Sequence, residues 1–278
     1  MIKVIVVDDN SPEDLSSIID KICDKRIHYF RNKKNYGAEN VVDNWNKCLE
    51  YCSGDYAICM GDDDELIPRT LEIYSNLIQK YPLLDVYHAW TEIIDENSNF
   101  VSLQAPRIEY ESVYSLIWNR WDNRKRQFIG DFLFKVDTLK RNHGFYKLPL
   151  AWASDDISAC MAAENNGIAN TSEIAFRYRV NRQTISKNGN VELKLKAIRL
   201  EERWYTEFLQ KEPTNDTDKK FHTLIKNNFN THFEKKKGYN ISYDLKSNKL
   251  RVIHWFLKRH KYNYGIKAIL YALYLSCH

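Results

Sequence analysis

The chain has 278 residues, enough for one large domain with a real core or for one domain with an appendage. Its composition, 44% hydrophobic and 28% charged, is ordinary for a soluble protein, and no apolar run or Cys/His spacing suits a membrane span or a zinc site. The net charge of +4 hides an asymmetry, since residues 219–278 carry +11 and the remainder −7. The basic end is interpreted either as a surface for something anionic, nucleic acid or a membrane face, or as a solvated charged face.

The first hundred residues alternate between strand and helix patterns. The β-branched run at 2–7 is apolar at nearly every position, which indicates a buried strand. Ser11 and Pro12 then have the residue types of a helix start. The predicted elements are strands at 2–7, 27–30, 56–60 and 83–94 and helices from Ser11, at 38–52 and at 69–80. This alternation predicts an α/β fold whose sheet is mostly parallel.

After residue 100 the patterns are less regular, and a helical end follows. The elements predicted there are strands at 128–134 and 174–180 and helices at 156–166 and 191–210. Residues 211–220 are polar and contain Pro213, which predicts a domain boundary. We therefore expect one domain at 1–210 and a basic, mostly helical region at 211–278.

The most concentrated chemical signal is Gly61-Asp62-Asp63-Asp64-Glu65, at the end of a predicted strand. Adjacent carboxylates repel one another, and a cation or surrounding water relieves that repulsion. Mg²⁺ and Mn²⁺ prefer oxygen ligands and are often held by one or two carboxylates together with substrate phosphates. Open α/β sheets bind ligands beyond the carboxyl ends of their strands, so the sequence predicts a metal site here, with a solvated acidic loop as the alternative.

Two further acidic pairs stand at element ends. Asp8-Asp9 follows the first strand, and Asp155-Asp156 opens a predicted helix. Asp is favoured in the first turn of a helix, which explains one of the second pair better than both.

These segments together resemble the family 2 glycosyltransferases over about residues 2–190. The matching pieces are, in chain order, Val6-Val7-Asp8-Asp9-Asn10-Ser11; Arg31-Asn32-Lys33-Lys34-Asn35-Tyr36-Gly37; Asn44 through Gly54-Asp55-Tyr56; Asp62-Asp63-Asp64-Glu65-Leu66-Ile67-Pro68; Gly130 through Gly144-Phe145; Asp155-Asp156; and Tyr178-Arg179-Val180-Asn181 with Ser186. Each piece alone is weak, but seven in the family's order are specific.

The resemblance implies a GT-A-like, Rossmann-like fold that uses Mn²⁺ or Mg²⁺ and a nucleotide-diphosphate sugar. It implies a nucleotide-binding part at 1–100 and an acceptor-binding part at 101–190. The residues that it assigns to donor and metal are Asp9 for the base, Asn35 in the loop that follows, Asp62 for the ribose, Asp63 and Asp64 for the metal, and Arg179 for the diphosphate.

The same resemblance makes Asp156 the general base of an inverting transfer of a hexose or N-acetylhexosamine to an acceptor hydroxyl. Asp155 beside it raises the pKa of one member of the pair, and a register shift of one residue would make Asp155 the base. The family usually begins with an earlier strand, and here Met1 falls directly before what resembles the second strand. We therefore expect the first strand of the fold to be missing.

The expected partners are a nucleotide-sugar donor and a glycan or lipid-linked acceptor in bacterial surface polysaccharide synthesis, without nucleic acid. A cytoplasmic location follows from the absence of a secretory signal. Residues 250–278 mix apolar and basic side chains, which predicts peripheral contact with an anionic membrane at the inner face of the plasma membrane.

Two alternatives compete with an active transferase. One is a catalytically inactive relative that scaffolds other enzymes at a membrane. The other is a response-regulator receiver, because Asp8-Asp9 after a first strand and an Asp near position 62 have its spacing. A receiver also needs a Lys-Pro step after a later strand, and the sequence contains no Lys-Pro dipeptide.

Overall fold

The computed structural model describes residues 2–121, 125–180 and 190–278. Its helices are α1 (Ser16–Ile22), α2 (Val41–Glu50), α3 (Thr70–Lys80), α4 (Val113–Trp121), α5 (Val136–Arg141), α6 (Ser154–Ala163), α7 (Val191–Phe208), α8 (Asp216–Ser247), α9 (Val252–Lys258) and α10 (Ile266–Cys277). Its strands are β1 (Val4–Asp8), β2 (Ile27–Arg31), β3 (Tyr56–Ala57), β4 (Glu65–Leu66), β5 (Val86–Ile94), β6 (Phe100–Leu103), β7 (Tyr110–Glu111), β8 (Phe132–Lys135) and β9 (Ile168–Arg179). The predicted alternation of strands and helices up to residue 94 is confirmed.

The N-terminal unit is a two-stranded parallel sheet of β1 and β2 with α1 between them in the chain. The predicted helix start at Ser11 is wrong, because α1 begins at Ser16. Asp8 accepts the Ser11 backbone N–H at 2.7 Å, and Asp14 accepts the N–H and hydroxyl of Ser16, so residues between them form a side-chain-stabilised loop. Asx-type bonds of this kind compete with helix formation.

A seven-stranded mixed sheet forms the centre of the molecule, in the order β3-β8-β5-β9-β4, with β6 added beside β5 and β7 beside β9. The sheet differs from the mostly parallel one predicted: β5 and β9 are parallel, and its other described pairings are antiparallel. The hydrophobic pattern determines which faces are buried but not the direction of the neighbouring strand. Here a tight turn at Asp95–Asn99 connects β5 to β6. The connection is too short for a crossover, so the two strands are antiparallel.

Helices cover both faces of this sheet. The α3 side chains Ile73, Tyr74 and Leu77 pack with Leu133 and Phe176 on one face. Helices α4 and α6 pack with Phe132 and Phe134 on the other. Each large apolar side chain buried in this way contributes roughly 1.5–3 kcal/mol, so β5 and β8 hold the elements that carry the candidate site firmly in place.

The C-terminal helices pack against the sheet domain through a continuous hydrophobic core. Residues 209–215 connect α7 to α8, and Phe233 and Ile241 of α8 belong to the same buried cluster as Leu116 of α4. Gly238 of α8 lets α10 approach closely, because a β-carbon there would lie 2.6 Å from the Ala268 carbonyl oxygen. Within the described ranges, no helix is both long and apolar enough to cross a bilayer.

Candidate active site

The acidic segment Gly61–Glu65 crosses from β3 towards β4, at an edge of the mixed sheet. Strand β4 pairs with β9, with Glu65 opposite Arg177. Asp62 and Asp63 are exposed and Asp64 is half-buried. The segment therefore presents two carboxylates to solvent and turns a third towards the protein.

The carboxylates of Asp63 and Asp64 converge on the small residue Gly61. A β-carbon at Gly61 would lie 2.9 Å from Asp63 Oδ1 and 3.5 Å from Asp64 Oδ2. Two oxygens from neighbouring acids thus face one small space, which any larger residue at position 61 would fill.

Arg179, at the end of β9, holds the acidic segment in place through hydrogen bonds. Its backbone N–H donates to Asp64 Oδ1 at 3.0 Å, and its Nε donates to the Asp63 carbonyl oxygen at 2.7 Å. The guanidinium also pairs with Glu65 and donates to the Asp95 carbonyl oxygen at 2.8 Å. The structure thus places the residue predicted to bind the diphosphate in contacts that shape the acidic segment itself.

Asp64 is a carboxyl group whose charged form is disfavoured. Burial, and then the neighbouring charge of Asp63, raise its pKa to about 7, against the opposing hydrogen bond from the Arg179 backbone. Groups with such shifts cluster at functional sites. A bound cation would offset this repulsion.

The Asp8-Asp9 pair stabilises the loop that follows β2. Asp9 accepts the backbone N–H groups of Tyr36 and Gly37 at 3.0 and 3.1 Å and the side-chain amide of Asn32 at 2.9 Å. The Asn32 amide also donates to Asn44 of α2 at 2.8 Å. Three of the resembling motifs are therefore hydrogen-bonded to one another, with Asn32 bridging Asp9 and Asn44.

Asp8 is the buried member of this pair. Although burial raises its pKa, hydrogen bonds from Ser11 and Tyr29 and the nearby Arg31 charge lower it below the usual value. Asn35 is exposed at the tip of the same loop. The turn just after it, Ala38–Asn40, lies against the turn at Pro149–Ala151, which connects the N-terminal unit to the acid pair of α6.

The acid pair stands in the first turn of α6, and its two members differ sharply. Asp156 is 3% exposed, and its Oδ1 lies 2.6 Å from Arg120 Nε of α4. Asp155 is half-buried and accepts the Asp156 backbone N–H at 2.9 Å. Burial first, and then the Asp156 charge, raise the pKa of Asp155, while Arg120 opposes that shift.

The backbone before α6 is strained. Leu150, Ala151 and Ala153 all have positive φ angles, of 61°, 51° and 71°, which non-glycine residues rarely adopt. Each such residue costs on the order of 1–3 kcal/mol, and strain of this kind concentrates at functional sites. The strained segment fixes the entry of α6 and so the direction of the acid pair.

Tyr178 of β9 directly precedes Arg179, whose backbone N–H binds Asp64. Its ring stacks on Phe128 with centroids 3.6 Å apart. Burial, then the charges of Asp64, Asp63 and Asp155, raise its pKa to about 12. Charges from the acidic segment and from the acid pair therefore both act on the Tyr178 hydroxyl.

Several predicted residues lie apart from this cluster or outside the described residues. Asp9 and Asn35 belong to the N-terminal unit, and Asp62 is exposed. Asn181 and Ser186 lie outside the described residues. Sequence reasoning missed Arg120 and Gln127, which contact Asp156 Oδ1, because these partners are distant from Asp156 in the chain.

The protein side chains available as metal ligands would satisfy a divalent cation only in part. Among the described residues, no three His, Cys, Asp or Glu side chains converge as a metal cage. Two carboxylates at Gly61 suit Mg²⁺ or Mn²⁺ when a diphosphate supplies the remaining oxygens. The residues present therefore fit a cation that binds with its nucleotide rather than alone.

Comparisons with known proteins agree with the family resemblance. The family model described as glycosyl transferase family 2 matches residues 1–144. A GalNAc(5)-diNAcBac-PP-undecaprenol beta-1,3-glucosyltransferase of Campylobacter jejuni is 38% identical over 81 residues, 28% of this chain and 25% of that protein. The Escherichia coli UDP-Glc:alpha-D-GlcNAc-diphosphoundecaprenol beta-1,3-glucosyltransferase WfgD is 26% identical over 195 residues, 69% of this chain and 71% of that protein. The match thus spans a quarter of the first relative's length.

Solved structures give the same fold. S. aureus TarS 1–349 in complex with UDP-GlcNAc has a TM-score of 0.63 at 16% identity, covering 99% of this chain and 81% of that one. Its complex with UDP has a TM-score of 0.60 at 15% identity, covering 99% and 80%. The likeness confirms the predicted α/β, GT-A-like fold class with a helical C-terminal region. The match to glycosyl transferase family 2 excludes the receiver-domain alternative.

Proposed function

This chain belongs to glycosyl transferase family 2, and we propose that it transfers a hexosyl group from a nucleotide-diphosphate sugar to a hydroxyl group of a lipid-linked glycan in bacterial polysaccharide synthesis. The observation that carries the proposal is the presence of two carboxylate groups, Asp63 with Asp64 at Gly61 and Asp155 with Asp156 at the start of α6. One carboxylate group suits a cation with its diphosphate, and the other suits proton removal. Both relatives named above act on undecaprenol-linked glycans, which supports this acceptor class.

At the donor end, Asp63 and Asp64 would hold Mn²⁺ or Mg²⁺ together with the donor diphosphate. When bound, the cation offsets the negative charge on the leaving group. Arg179 binds the Asp64 carboxylate through its backbone N–H and the Asp63 backbone carbonyl oxygen through its Nε. Asp9, Asn35 and Asp62 line the approach of the nucleoside, with Asp9 acting through the loop whose backbone it holds.

At the acceptor end, the pair at the start of α6 supplies the base. An acceptor hydroxyl loses its proton to a carboxylate as its oxygen forms a bond to the anomeric carbon. The bond from that carbon to the diphosphate oxygen breaks, and the diphosphate leaves with the electron pair. Attack from the side opposite the leaving group inverts the anomeric configuration.

A transfer assay tests the proposal directly. We expect transfer from UDP-glucose or another nucleotide-sugar to a polyprenyl-diphosphate-linked N-acetylhexosamine, with Mn²⁺ or Mg²⁺ present and loss of activity in excess EDTA. NMR of the product gives the configuration of the new linkage, which inversion predicts to be β from an α-linked donor. If the protein neither binds nor turns over any nucleotide-sugar, the second candidate, a catalytically inactive scaffold, is favoured.

The proposal includes a peripheral position at an anionic membrane. Two apolar stripes are exposed on the C-terminal helices, with exposed fractions between 57% and 78%. Their residues are Leu250, Ile253 and Leu257 around α9 and Ile266, Leu270 and Tyr274 on α10. Basic side chains such as Arg251 and Lys267 flank them, within a region of net charge +11. Helices with this character bind in the headgroup layer without spanning.

Vesicle flotation of the full chain checks this part. We expect binding to vesicles that contain phosphatidylglycerol and little binding to pure phosphatidylcholine. Replacing Leu250, Ile253 and Leu257 together by Ser should weaken binding about tenfold or more, since each loses buried apolar area. The matched control replaces Leu83, Phe100 and Val101, which are exposed elsewhere, and should bind like the parent. Equal flotation of both triple variants contradicts a docking role for α9.

A further inference from the structure

The carboxylate of Glu192, in the first turn of α7, is surrounded by side chains from α9 and the turn that follows it. Lys258 Nζ donates to Glu192 Oε1, and the Tyr262 hydroxyl donates to Oε2 at 2.7 Å. His254 Nε2 lies 3.8 Å from Oε1, and Lys261 Nζ lies 3.8 Å from Oε2. Hydrogen bonds from Lys258 and then Tyr262 lower the pKa of Glu192 to about 2, so it is an anion at neutral pH. These four side chains thus already hold one anionic group.

The positive charge at this place exceeds what Glu192 neutralises. Lys258 and Lys261 are both cationic, and Arg199 of α7 adds a third cation, which donates to the Lys261 carbonyl oxygen at 2.9 Å. His254 Nε2 is buried and has no hydrogen-bond partner within the part of the chain that the structure describes. The Lys258 and Lys261 side chains are 29% and 62% exposed, so a ligand can reach them. Excess cations beside an unsatisfied imidazole nitrogen favour a ligand with more than one negative charge.

An exposed apolar row lies beside these cations on the same helix. The backbone stays helical past the end of α9, because the Tyr262 N–H donates to the Lys258 carbonyl oxygen. At 3.6 residues per turn, positions 254, 258 and 261 therefore form one row and positions 250, 253 and 257 form the neighbouring row. The second row consists of Leu250, Ile253 and Leu257, which are 78%, 64% and 72% exposed. A ligand with a phosphate group next to a hydrocarbon chain can contact both rows.

Buried contacts of Trp255 fix the rotation of α9 and so the direction of both rows. Trp255 is 1% exposed, and its Nε1 donates to Asp244 of α8 at 2.7 Å. The Tyr264 hydroxyl donates to the Trp255 carbonyl oxygen at 2.7 Å. The cationic row therefore faces α7 while the apolar row remains open to the surroundings.

We propose that His254, Lys258 and Lys261 bind the diphosphate group of the lipid-linked acceptor, and that Glu192 occupies their binding site until the acceptor arrives. This inference rests on the proposed transfer function, from which the acceptor class is taken. A diphosphate suits the site better than the single charge of a phosphodiester headgroup, because it brings more charge and more acceptor oxygens to the same cations. The lipid chain then lies along the neighbouring apolar row.

Vesicle flotation of the full chain distinguishes a lipid diphosphate from an ordinary anionic headgroup. Phosphatidylcholine vesicles carry either undecaprenyl diphosphate or phosphatidylglycerol, adjusted to the same surface charge. We expect tighter binding to the diphosphate vesicles and displacement from them by inorganic pyrophosphate. Lys258→Gln combined with Lys261→Gln should weaken that binding about tenfold or more, because each cation near an anionic surface contributes to binding. Equal binding of the parent to both kinds of vesicle would mean general headgroup contact and would overturn the inference.

The matched control removes the same charge from a distant part of α8. Lys220 and Lys226 are exposed, and α8 meets α9 at Asp244, about 27 Å further along the helix than Lys226. Exposed charges at that separation are largely screened at physiological ionic strength. Lys220→Gln combined with Lys226→Gln should therefore bind diphosphate vesicles like the parent. An equal loss in both double variants would reduce the effect to net charge and reject the site.

Glu192→Gln should change the affinity in the opposite direction. The substitution removes the internal anion that competes with the ligand, so binding to diphosphate vesicles should tighten about threefold or more. If Glu192 served only to fasten α9 to α7, the same substitution would lower the melting temperature without tightening the binding. That result contradicts the proposal.

Acceptor kinetics separate this site from the proposed function. Lys261→Gln, at the most exposed of the three groups, should raise the KM for the lipid-diphosphate acceptor about threefold or more. The difference from the parent should shrink with a soluble N-acetylhexosaminide acceptor that lacks the diphosphate. An active Lys261→Gln enzyme with the parent's acceptor KM would reject the site while the transfer function stands. If the parent transfers nothing, the proposed function fails, and the vesicle results still support or reject the diphosphate site without turnover.

Discussion

Asp63→Asn is expected to abolish metal-dependent nucleotide binding while leaving the fold intact. Asp63 is exposed, and its Oδ1 faces the same space at Gly61 as an Asp64 oxygen, so the substitution removes one of two anionic donors. Mutating residues that only hydrogen-bond to metal ligands lowers metal affinity roughly 10- to 100-fold. Loss of a ligand itself should therefore lower the affinity by more than about 100-fold. Isothermal titration of UDP with and without Mn²⁺ measures the effect.

Asp62→Asn is the matched control in the same segment. Asp62 is exposed, and we assign it to the ribose rather than to the cation. This variant should therefore bind UDP more weakly but keep the dependence on Mn²⁺. Parent-like Mn²⁺-dependent binding in Asp63→Asn would show that the metal assignment is wrong.

The protonation of Asp64 gives the same site a pH dependence. Burial and the Asp63 charge raise its pKa to about 7, so the folded protein binds this proton more tightly than the unfolded chain does. The free energy of unfolding without metal should therefore fall as pH rises from about 4 to about 7, on the order of 1–2 kcal/mol for a half-buried group. Mn²⁺ with UDP should raise Tm more at pH 8 than at pH 5.5, because the proton competes with the cation. Asp64→Asn should remove this part of the dependence.

The sequence predicted the elements of the site better than their arrangement. Hydrophobic periodicity located β1, α3 and β5 within a few residues, because burial on both faces of a sheet leaves a clear pattern. It could not predict strand direction, since β5 and β9 pair in parallel while β8 runs against β5 on the other side. The sequence also could not predict that Arg179 hydrogen-bonds to the acidic segment, because that contact depends on how β9 pairs with β4.

Adjacent acids show the limit most clearly. Asp155 and Asp156 are equivalent in a sequence motif, but neighbours on a helix point about 100° apart. In the structure the buried member is Asp156, which pairs with Arg120 of α4. The positive φ angles of Leu150, Ala151 and Ala153 could likewise not be predicted from the sequence. Leucine and alanine normally favour helix, and tertiary packing imposes the strain. Site chemistry could thus be located from the sequence, whereas roles within it depend on long-range contacts.

A buried ion pair joins the sheet domain to the C-terminal helices. Lys236 Nζ of α8 donates to both Glu201 carboxylate oxygens of α7, at 2.7 and 2.8 Å, and the Glu201 side chain is 2% exposed. Burial raises the pKa of Glu201, and the Lys236 charge opposes that shift. Removing one partner of such a pair leaves an uncompensated buried charge.

Lys236→Met is therefore expected to lower the free energy of unfolding by about 3 kcal/mol, measured by urea denaturation at pH 7.5. The loss should be smaller at pH 5, since without Lys236 the pKa of Glu201 rises further and a protonated Glu201 carries no buried charge. Lys235→Met, on the exposed neighbour, should change stability by less than about 0.5 kcal/mol. Adding Glu201→Met to Lys236→Met should recover most of the loss, because an apolar pair of similar volume replaces the ion pair. One cooperative transition in every variant is expected from the shared core, whereas a separate early transition confined to residues 211–278 would mean that this region folds as a unit of its own.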